Sequence, residues 1–120
     1  MAKIMTVDDT ATMRQMISFT LHSVGHEVVQ ASDGQEALAM AKSRKLDLVI
    51  ADVNMPNMDG ITLVKSLRAL PEYKFTPILL LTTESHEAKR QEGKGAGATG
   101  WIVKPFNPEQ LLSIVKKVLG

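Results

Sequence analysis

Short apolar runs alternate with amphipathic stretches along the whole chain, and this alternation constrains the fold more than any other feature of the sequence. Several of the runs are continuously apolar, as is typical of strands that are buried on both faces of a parallel sheet. The five runs are residues 4–7, 27–31, 48–51, 78–81 and 101–103. We therefore predict five parallel strands.

The stretches between the runs have helical patterns. They are predicted as helices over residues 13–24, 35–41, 61–70 and 84–94, and from Pro108 to the end of the chain, with Asn107 as N-cap. Asp33-Gly34 and Asp59-Gly60 are predicted turns, and Asp9 or Thr10 is expected to cap the first helix. Right-handed crossovers between parallel strands cover both faces of a sheet. The sequence thus predicts an α/β fold with a doubly wound parallel sheet.

Length and composition exclude several classes of protein. The 120 residues are enough for one domain, predicted over residues 1–120. Cysteine is absent, which excludes disulfides and thiolate metal sites. No run approaches the roughly 20 apolar residues of a membrane span, and the net charge of +1 gives no basic footprint for nucleic acid. We expect a cytoplasmic monomer that binds neither membrane nor nucleic acid.

The carboxyl ends of the predicted strands carry most of the side chains that can do chemistry. Asp8 and Asp9 follow the first strand, and Asp52 follows the third. Thr82 follows the fourth strand and Lys104 the fifth. In doubly wound sheets ligands bind just outside the carboxyl ends of the strands. We therefore expect these five side chains to converge on one edge of the sheet.

Three carboxylates at one edge predict a metal ion beside a nucleophile. Two carboxylates roughly 4 Å apart repel each other by about 4 kcal/mol at an effective dielectric of about 20. A hard divalent cation relieves this repulsion, and oxygen ligands without histidine or cysteine favour Mg²⁺ over zinc. With the metal held by Asp8 and Asp9, Asp52 can attack a phosphoryl donor. Lys104 would then neutralise charge on the transferred oxygens, and Thr82 would hydrogen-bond the product.

Four segments together resemble the receiver domain of two-component response regulators. They are residues 7–9, 52–60, 81–82 and 103–106, and they cover the chain in the order that the family has them. Residues 54–60 and 101–106 are similar in particular to the stand-alone chemotaxis members of that family. The fold that this resemblance implies is a flavodoxin-like, five-stranded parallel sheet of order 2-1-3-4-5 flanked by five helices. By this resemblance Asp52 is the phosphoacceptor and Asp8 and Asp9 are metal ligands, directly or through water. The backbone carbonyl of Asn54 would complete the Mg²⁺ site.

The resemblance also implies roles for residues of the last two strands. Thr82 and Lys104 would contact the phosphoryl group, and Trp101 stands at the position of the family's switch aromatic. The alternative is that Trp101 only packs and that Thr82 is an ordinary strand-end hydroxyl. The Lys104–Pro105 peptide bond would be cis.

The implied function is that of a stand-alone response regulator in a chemotaxis-type phosphorelay. Its phosphoryl donor would be a CheA-like histidine kinase, and its output protein would bind the face formed by the fourth helix, the fifth strand and the last helix. Such a protein is not an enzyme and assists only its own phosphorylation and dephosphorylation. Val53 and the glycines of residues 91–100 depart from the pattern of motor-binding members. The resemblance therefore does not specify a flagellar target.

Three other functions match parts of the pattern, and the sequence argues against two of them. The protein could be a phosphate sink for a shared kinase, which would need no output partner. A metal-dependent phosphatase that forms an aspartyl phosphate typically has a second carboxylate two residues after the nucleophile, where this chain has Asn54. A flavin-binding module would need a phosphate-cradling loop after the first strand, where Asp8 and Asp9 would repel the phosphate.

Overall fold

The computed structural model describes residues 2–83 and 87–120, and it confirms the predicted fold class. Five parallel strands form one sheet in the order β2-β1-β3-β4-β5. They are β1 (Lys3–Val7), β2 (Glu27–Ala31), β3 (Leu48–Asp52), β4 (Ile78–Thr83) and β5 (Gly100–Lys104). This is the flavodoxin-like order, in which the chain reverses direction across the sheet between β1 and β3.

Five α-helices connect and follow the strands. They are α1 (Ala11–His22), α2 (Gly34–Ser43), α3 (Gly60–Arg68), α4 (Glu87–Ala96) and α5 (Pro108–Leu119), with a 3₁₀ turn at Pro71–Tyr73 before β4. The fourth predicted helix began at residue 84, and its residues 84–86 lie outside the described residues. No helix in the described part of the chain is long and apolar enough to cross a membrane.

Several helix starts follow from local side-chain hydrogen bonds. The predicted cap of the last helix is confirmed, because Asn107 and Gln110 exchange side-chain-to-backbone hydrogen bonds. Asp33 and Asp59, predicted only as turn residues, are the N-caps of α2 and α3. Asp and Asn in a turn that leads into an apolar periodic stretch cap helices as readily as they form turns.

Successive residues of the buried strands point to opposite faces of the sheet, and each face has its own core. Met5 and Val49 pack under α2 and α3, while Ile4 and Ile50 pack under α1 and α5. All five residues of β3 are buried. The sheet therefore holds its carboxyl edge rigidly between two layers of helices, and the polar residues of that edge take their positions from the strands.

Candidate functional site

The carboxyl ends of β1, β3, β4 and β5 lie side by side at one edge of the sheet. Val7 is paired with Ala51 in β3, so Asp8 and Asp52 follow at the same level. One carboxylate oxygen from each of Asp8, Asp9 and Asp52 lies within 4.8 Å of the others. The convergence that the order of the strands predicts is thus present in the structure.

Asp52 is held from two sides. Its Oδ2 atom lies 2.8 Å from the Lys104 ammonium, and its Oδ1 atom accepts a hydrogen bond from the Asn54 backbone N–H at 3.3 Å. The Asp52 side chain is 10% exposed, so it is largely buried but still reaches solvent. The peptide bond after Lys104 is cis, as the resemblance implies. Asp52 is consequently an oriented carboxylate beside a fixed positive charge.

Asp8 lies deeper than the other two carboxylates and is only 1% exposed. Its Oδ1 atom accepts a hydrogen bond from the Thr10 backbone N–H at 2.8 Å, while its buried Oδ2 atom meets no hydrogen-bond donor among the described residues. Burial raises the pKa of Asp8 above its usual value against the lowering effect of the Thr10 N–H, and the charge of Asp52 raises it further. Asp8 is thus a buried acceptor without enough compensating positive charge.

Helix α1 begins differently from what the sequence suggests. Thr10 occupies the N-cap position, but its side chain makes no capping hydrogen bond. The Asp8 carboxylate instead accepts a hydrogen bond from the Thr10 backbone N–H. The Asp8 backbone carbonyl accepts a second hydrogen bond from the Arg14 guanidinium. Asp9 is left exposed at the rim, over a depression of about 500 Å³ that Asn54 also lines. The two adjacent aspartates therefore have different environments, one buried and one facing solvent.

The three carboxylates fit a hard divalent cation. The main evidence is the Oδ2 atom of Asp8, which is buried and has no hydrogen-bond partner among the described residues. A buried oxygen of this kind destabilises the fold unless a cation or a hydrogen-bond donor satisfies it. All the converging ligand atoms are oxygens, which suits Mg²⁺ better than zinc. The backbone carbonyl of Asn54, in an exposed residue beside Asp9, remains a predicted ligand.

The loop between β3 and α3 is fixed by contacts with the start of α2 that the sequence does not indicate. Asn57 has a left-handed backbone, with φ of 68°, and its side-chain amide donates a 2.9 Å hydrogen bond to Asp33. The Cα of Gly34 lies so close to the loop that an added Cβ would be 2.6 Å from the carbonyl oxygen of Met58. An Asn in the left-handed region is a recognisable local signal, but its partner, 24 positions away, is not.

Thr82 and Trp101 lie on one face of the sheet but are not directly paired. They stand on neighbouring strands, and in the register Thr82 pairs with Val103 and Trp101 pairs with Leu80. Strand β4 runs to Thr83 and β5 begins at Gly100, so both strands are longer than their apolar runs. Two residues along a strand share a face, so Trp101 is diagonal to Thr82. The Thr82 hydroxyl donates to the Thr83 carbonyl at 3.3 Å and is buried.

Trp101 has a partner that the sequence did not indicate. The guanidinium carbon of Arg90 lies 4.8 Å from the centre of the indole ring, in a cation–π contact. Arg90 also forms an ion pair with Glu87 at 3.2 Å within α4. The indole is half-buried. The contact between the Arg90 guanidinium and the Trp101 ring therefore links helix α4 to strand β5, on the surface next to the candidate site.

Comparison with known proteins decides the family. The family model of the response regulator receiver domain matches residues 4–116. The chain belongs to the receiver domain family. This receiver domain is 41% identical to a "Chemotaxis protein CheY homolog" of Campylobacter jejuni, over 98% of this chain and 92% of the relative. Its structure matches that of the chemotaxis response regulator CheY4 of Vibrio cholerae with a TM-score of 0.94 and 56% identity, over 98% of both chains.

A more distant structure bears on the metal. The receiver domain of a sensor histidine kinase from Pseudomonas aeruginosa, 27% identical over 99% of this chain and 98% of its own, has a TM-score of 0.92 and was solved with a magnesium ion coordinated in the active site cleft. Family membership places this receiver domain among the signalling proteins of two-component systems. Receiver domains of this kind act as response regulators, not as conventional enzymes.

Proposed function

We propose that residues 1–120 form one receiver domain that acts as a stand-alone response regulator in a chemotaxis-type phosphorelay. A CheA-like histidine kinase donates a phosphoryl group to Asp52, and the product changes the binding of an output protein to the face formed by α4, β5 and α5. The observation that carries this proposal is the Asp52 carboxylate, oriented by Lys104 at 2.8 Å and surrounded by two further aspartates at one sheet edge.

The transfer needs a nucleophile and a positive charge, and the chain supplies both. An oxygen of Asp52 forms a bond to phosphorus while the bond from phosphorus to the histidine nitrogen of the donor breaks, and the electron pair leaves with the imidazole. Lys104, already in contact with Asp52, neutralises charge on the transferred oxygens. Asp8, Asp9, Asp52 and the carbonyl of Asn54 would hold Mg²⁺, which supplies further charge neutralisation when bound.

The signal would leave the site through Thr82 and Trp101. In the resting state the Thr82 hydroxyl donates to a neighbouring carbonyl, at 3.3 Å. A phosphoryl oxygen on Asp52 is a stronger, charged acceptor. Movement of Thr82 toward it would open space on the face of the sheet that Trp101 shares, and burial of the indole would reshape the surface beside α4.

Phosphoryl labelling tests the proposal. Asp52→Asn removes the nucleophile with little change in volume, so labelling by radioactive acetyl phosphate with Mg²⁺ should fall to background. Asp47→Asn is the matched control, because Asp47 lies before β3 at the opposite edge and Asn can still accept its hydrogen bond from the Lys3 backbone. Labelling of Asp52→Asn at the wild-type level would refute the assignment. Unchanged affinity of every output candidate after phosphorylation would favour the phosphate sink.

A further inference from the structure

A preformed groove lies at the amino edge of the sheet, opposite the candidate phosphorylation site. It has a volume of about 940 Å³ and runs between two connections: residues 42–47, which lead into β3, and residues 71–77, which lead into β4. The five residues of β3 separate it from Asp52 by about 17 Å. Nothing in the proposed phosphoryl chemistry uses this groove.

Both walls of the groove are rigid. The buried ring of Tyr73 forms part of its floor, and the Tyr73 hydroxyl lies 2.7 Å from the carbonyl oxygen of Ala41 and 2.6 Å from that of Arg44. The Arg68 guanidinium donates to the carbonyl oxygens of Tyr73 and Thr76 at 2.7 and 2.6 Å. The groove is therefore held in shape from inside the protein, and a ligand would not have to order it.

An aromatic side chain stands in solvent on this rigid frame. Phe75 is 88% exposed, although both ends of its short connection are fixed by Arg68. The ammonium of Lys74 lies 5.6 Å from the centre of its ring. The side chain lines the groove without being covered by it. Phe75 thus presents an apolar ring on a connection whose backbone is held by Arg68.

The rim of the groove is positively charged. Lys42, Arg44 and Lys45 are exposed and line one wall. Lys74 is exposed beside Phe75, just outside the lining of the other wall. None of these four cations forms an ion pair with another residue in the described part of the chain. Two carboxylates, Asp47 and Glu72, interrupt the positive charge of the rim. Asp47 already accepts a hydrogen bond from the Lys3 backbone N–H at 2.8 Å. A cationic rim around an exposed aromatic ring is complementary to an anionic ligand with an apolar group.

We propose that this groove binds an acidic peptide segment of a partner protein, with an aromatic or large apolar side chain of the peptide against Phe75. A peptide can place its carboxylates beside the cations and avoid Asp47 and Glu72. A nucleic-acid backbone, with its evenly spaced phosphates, would meet both carboxylates, and the net charge of the chain is only +1. Because the groove and Asp52 occupy opposite edges, the partner can stay bound while Asp52 is phosphorylated.

An NMR titration tests the proposal with a defined probe. The probe is a short acetylated peptide in which glutamates flank a single phenylalanine, added to the ¹⁵N-labelled chain. We expect saturable amide shifts confined to residues 42–47 and 71–77, and weaker binding at higher salt. Replacing the phenylalanine of the probe by serine, or its glutamates by glutamine, should each weaken binding about tenfold.

Matched variants separate this groove from general surface adhesion. Phe75→Ala and Lys45→Glu should each raise the dissociation constant about tenfold. Phe19→Ala is the aromatic control, because Phe19 is 78% exposed but lies on α1. Lys117→Glu on α5 is the charge control. The proposal fails if the controls weaken binding equally, if no saturable shift occurs at millimolar peptide, or if the shifts lie around Asp52. Displacement of the peptide by a single-stranded oligonucleotide at lower concentration would also overturn it.

Discussion

At the scale of single residues, two aspartates at the carboxyl edge of the sheet have opposite electrostatic effects on the stability of the fold. Asp8 is buried with one oxygen unsatisfied, and its pKa is raised mainly by burial. Asp33, at the start of α2, has a lowered pKa because its carboxylate accepts the Glu36 backbone N–H and the Asn57 amide. The ionised form of Asp8 therefore opposes folding in the absence of metal, while that of Asp33 favours it.

Asp8→Asn should raise the melting temperature of the metal-free protein by a few degrees at pH 7. The folded state binds the Asp8 proton more tightly than the unfolded state, so wild-type stability falls as pH rises from the usual Asp pKa of 3.8 through the raised folded value. Asparagine removes this loss and keeps an acceptor for Thr10. Melting curves between pH 7 and pH 4 should show the advantage of Asp8→Asn shrinking toward acid.

Asp33→Asn is the control with the opposite sign. Asparagine can still cap α2 through its one carbonyl oxygen, but its NH₂ group replaces the oxygen that accepts from Asn57, so that charge-assisted hydrogen bond is lost. Because the folded pKa of Asp33 is lowered, its contribution is present above the usual value of 3.8 and is lost as pH falls through the folded value. This variant should therefore be less stable than wild type at pH 7 and should approach it toward acid. An unchanged Asp8→Asn protein at neutral pH would contradict the cost assigned to Asp8.

Some residues of the site were predictable from the sequence and others were not. Asp8, Asp9, Asp52, Thr82 and Lys104 could be named because each ends a strand, and parallel strands end at one edge. Contacts set by the packing of one connection against another have no such signal. The Asp33–Asn57 hydrogen bond and the stacking of Arg90 on Trp101 are of this second kind. For the same reason the sequence does not indicate the register of β4 and β5, in which Trp101 pairs with Leu80.

At the scale of elements, α4 is the helix least supported by the core. Gly93 is its one buried residue in the described part of the helix, and a methyl group added at Gly95 would meet no atom within 4 Å. The exposed Gly95 costs about 1 kcal/mol relative to alanine, while at Gly93 an added Cβ would lie only 2.7 Å from the Leu80 side chain. Arg90, which links this helix to β5 through Trp101, therefore matters more here than a surface contact usually would.

A phosphoryl mimic with Mg²⁺ should reduce acrylamide quenching of Trp101 fluorescence. Trp101 is the only tryptophan, so its emission reports the face between α4 and β5 directly. Thr82→Ala should weaken this response without preventing phosphorylation, because the hydroxyl couples the two sites. Arg90→Ala should increase quenching in the resting state, since the guanidinium covers one side of the ring.

The matched control for this coupling is Lys94→Ala, an exposed cation on the same helix. It should leave the quenching of Trp101 unchanged in both states. Equal quenching of the wild-type protein before and after activation would show that Trp101 is a static packing residue. The proposed route from Thr82 to the face beside α4 would then have to be abandoned.

At the scale of the whole molecule, the alternation of apolar runs and helical patterns was enough to predict a doubly wound parallel sheet, and the family resemblance supplied its order. Parallel strands require crossover helices, and the handedness of the crossovers leaves few arrangements. What the pattern could not supply was the shape of the surface. The groove at residues 42–47 and 71–77 depends on Tyr73 and Arg68 reaching backbone carbonyls of other segments. The apolar periodicity of the sequence does not predict such contacts between separate segments.

Mg²⁺ should raise the melting temperature of the protein, because the folded cluster binds the ion and the unfolded chain scarcely does. At about ten times its dissociation constant the ion would add ~1.4 kcal/mol of stability, or about 5 °C for a domain of this size. Asp9→Ala should lose most of this gain. Asp9 is exposed, so its removal leaves the core intact. Differential scanning calorimetry with and without millimolar Mg²⁺ measures both effects, and an equal gain in the variant would argue against Asp9 as a ligand.

The origin of the site in four separate strands bears on when a newly made molecule can first take part in signalling. Asp52 and Lys104 are 52 positions apart in the chain, yet they must touch for the carboxylate to be oriented. Strand β4 lies between β3 and β5, so this contact requires all three strands to be paired in the sheet. On the proposed role of Asp52, a molecule in which β5 has not joined the sheet lacks the charge that makes transfer efficient. Such a molecule would accept the phosphoryl group poorly, so efficient acceptance doubles as a check that the sheet has formed as far as β5.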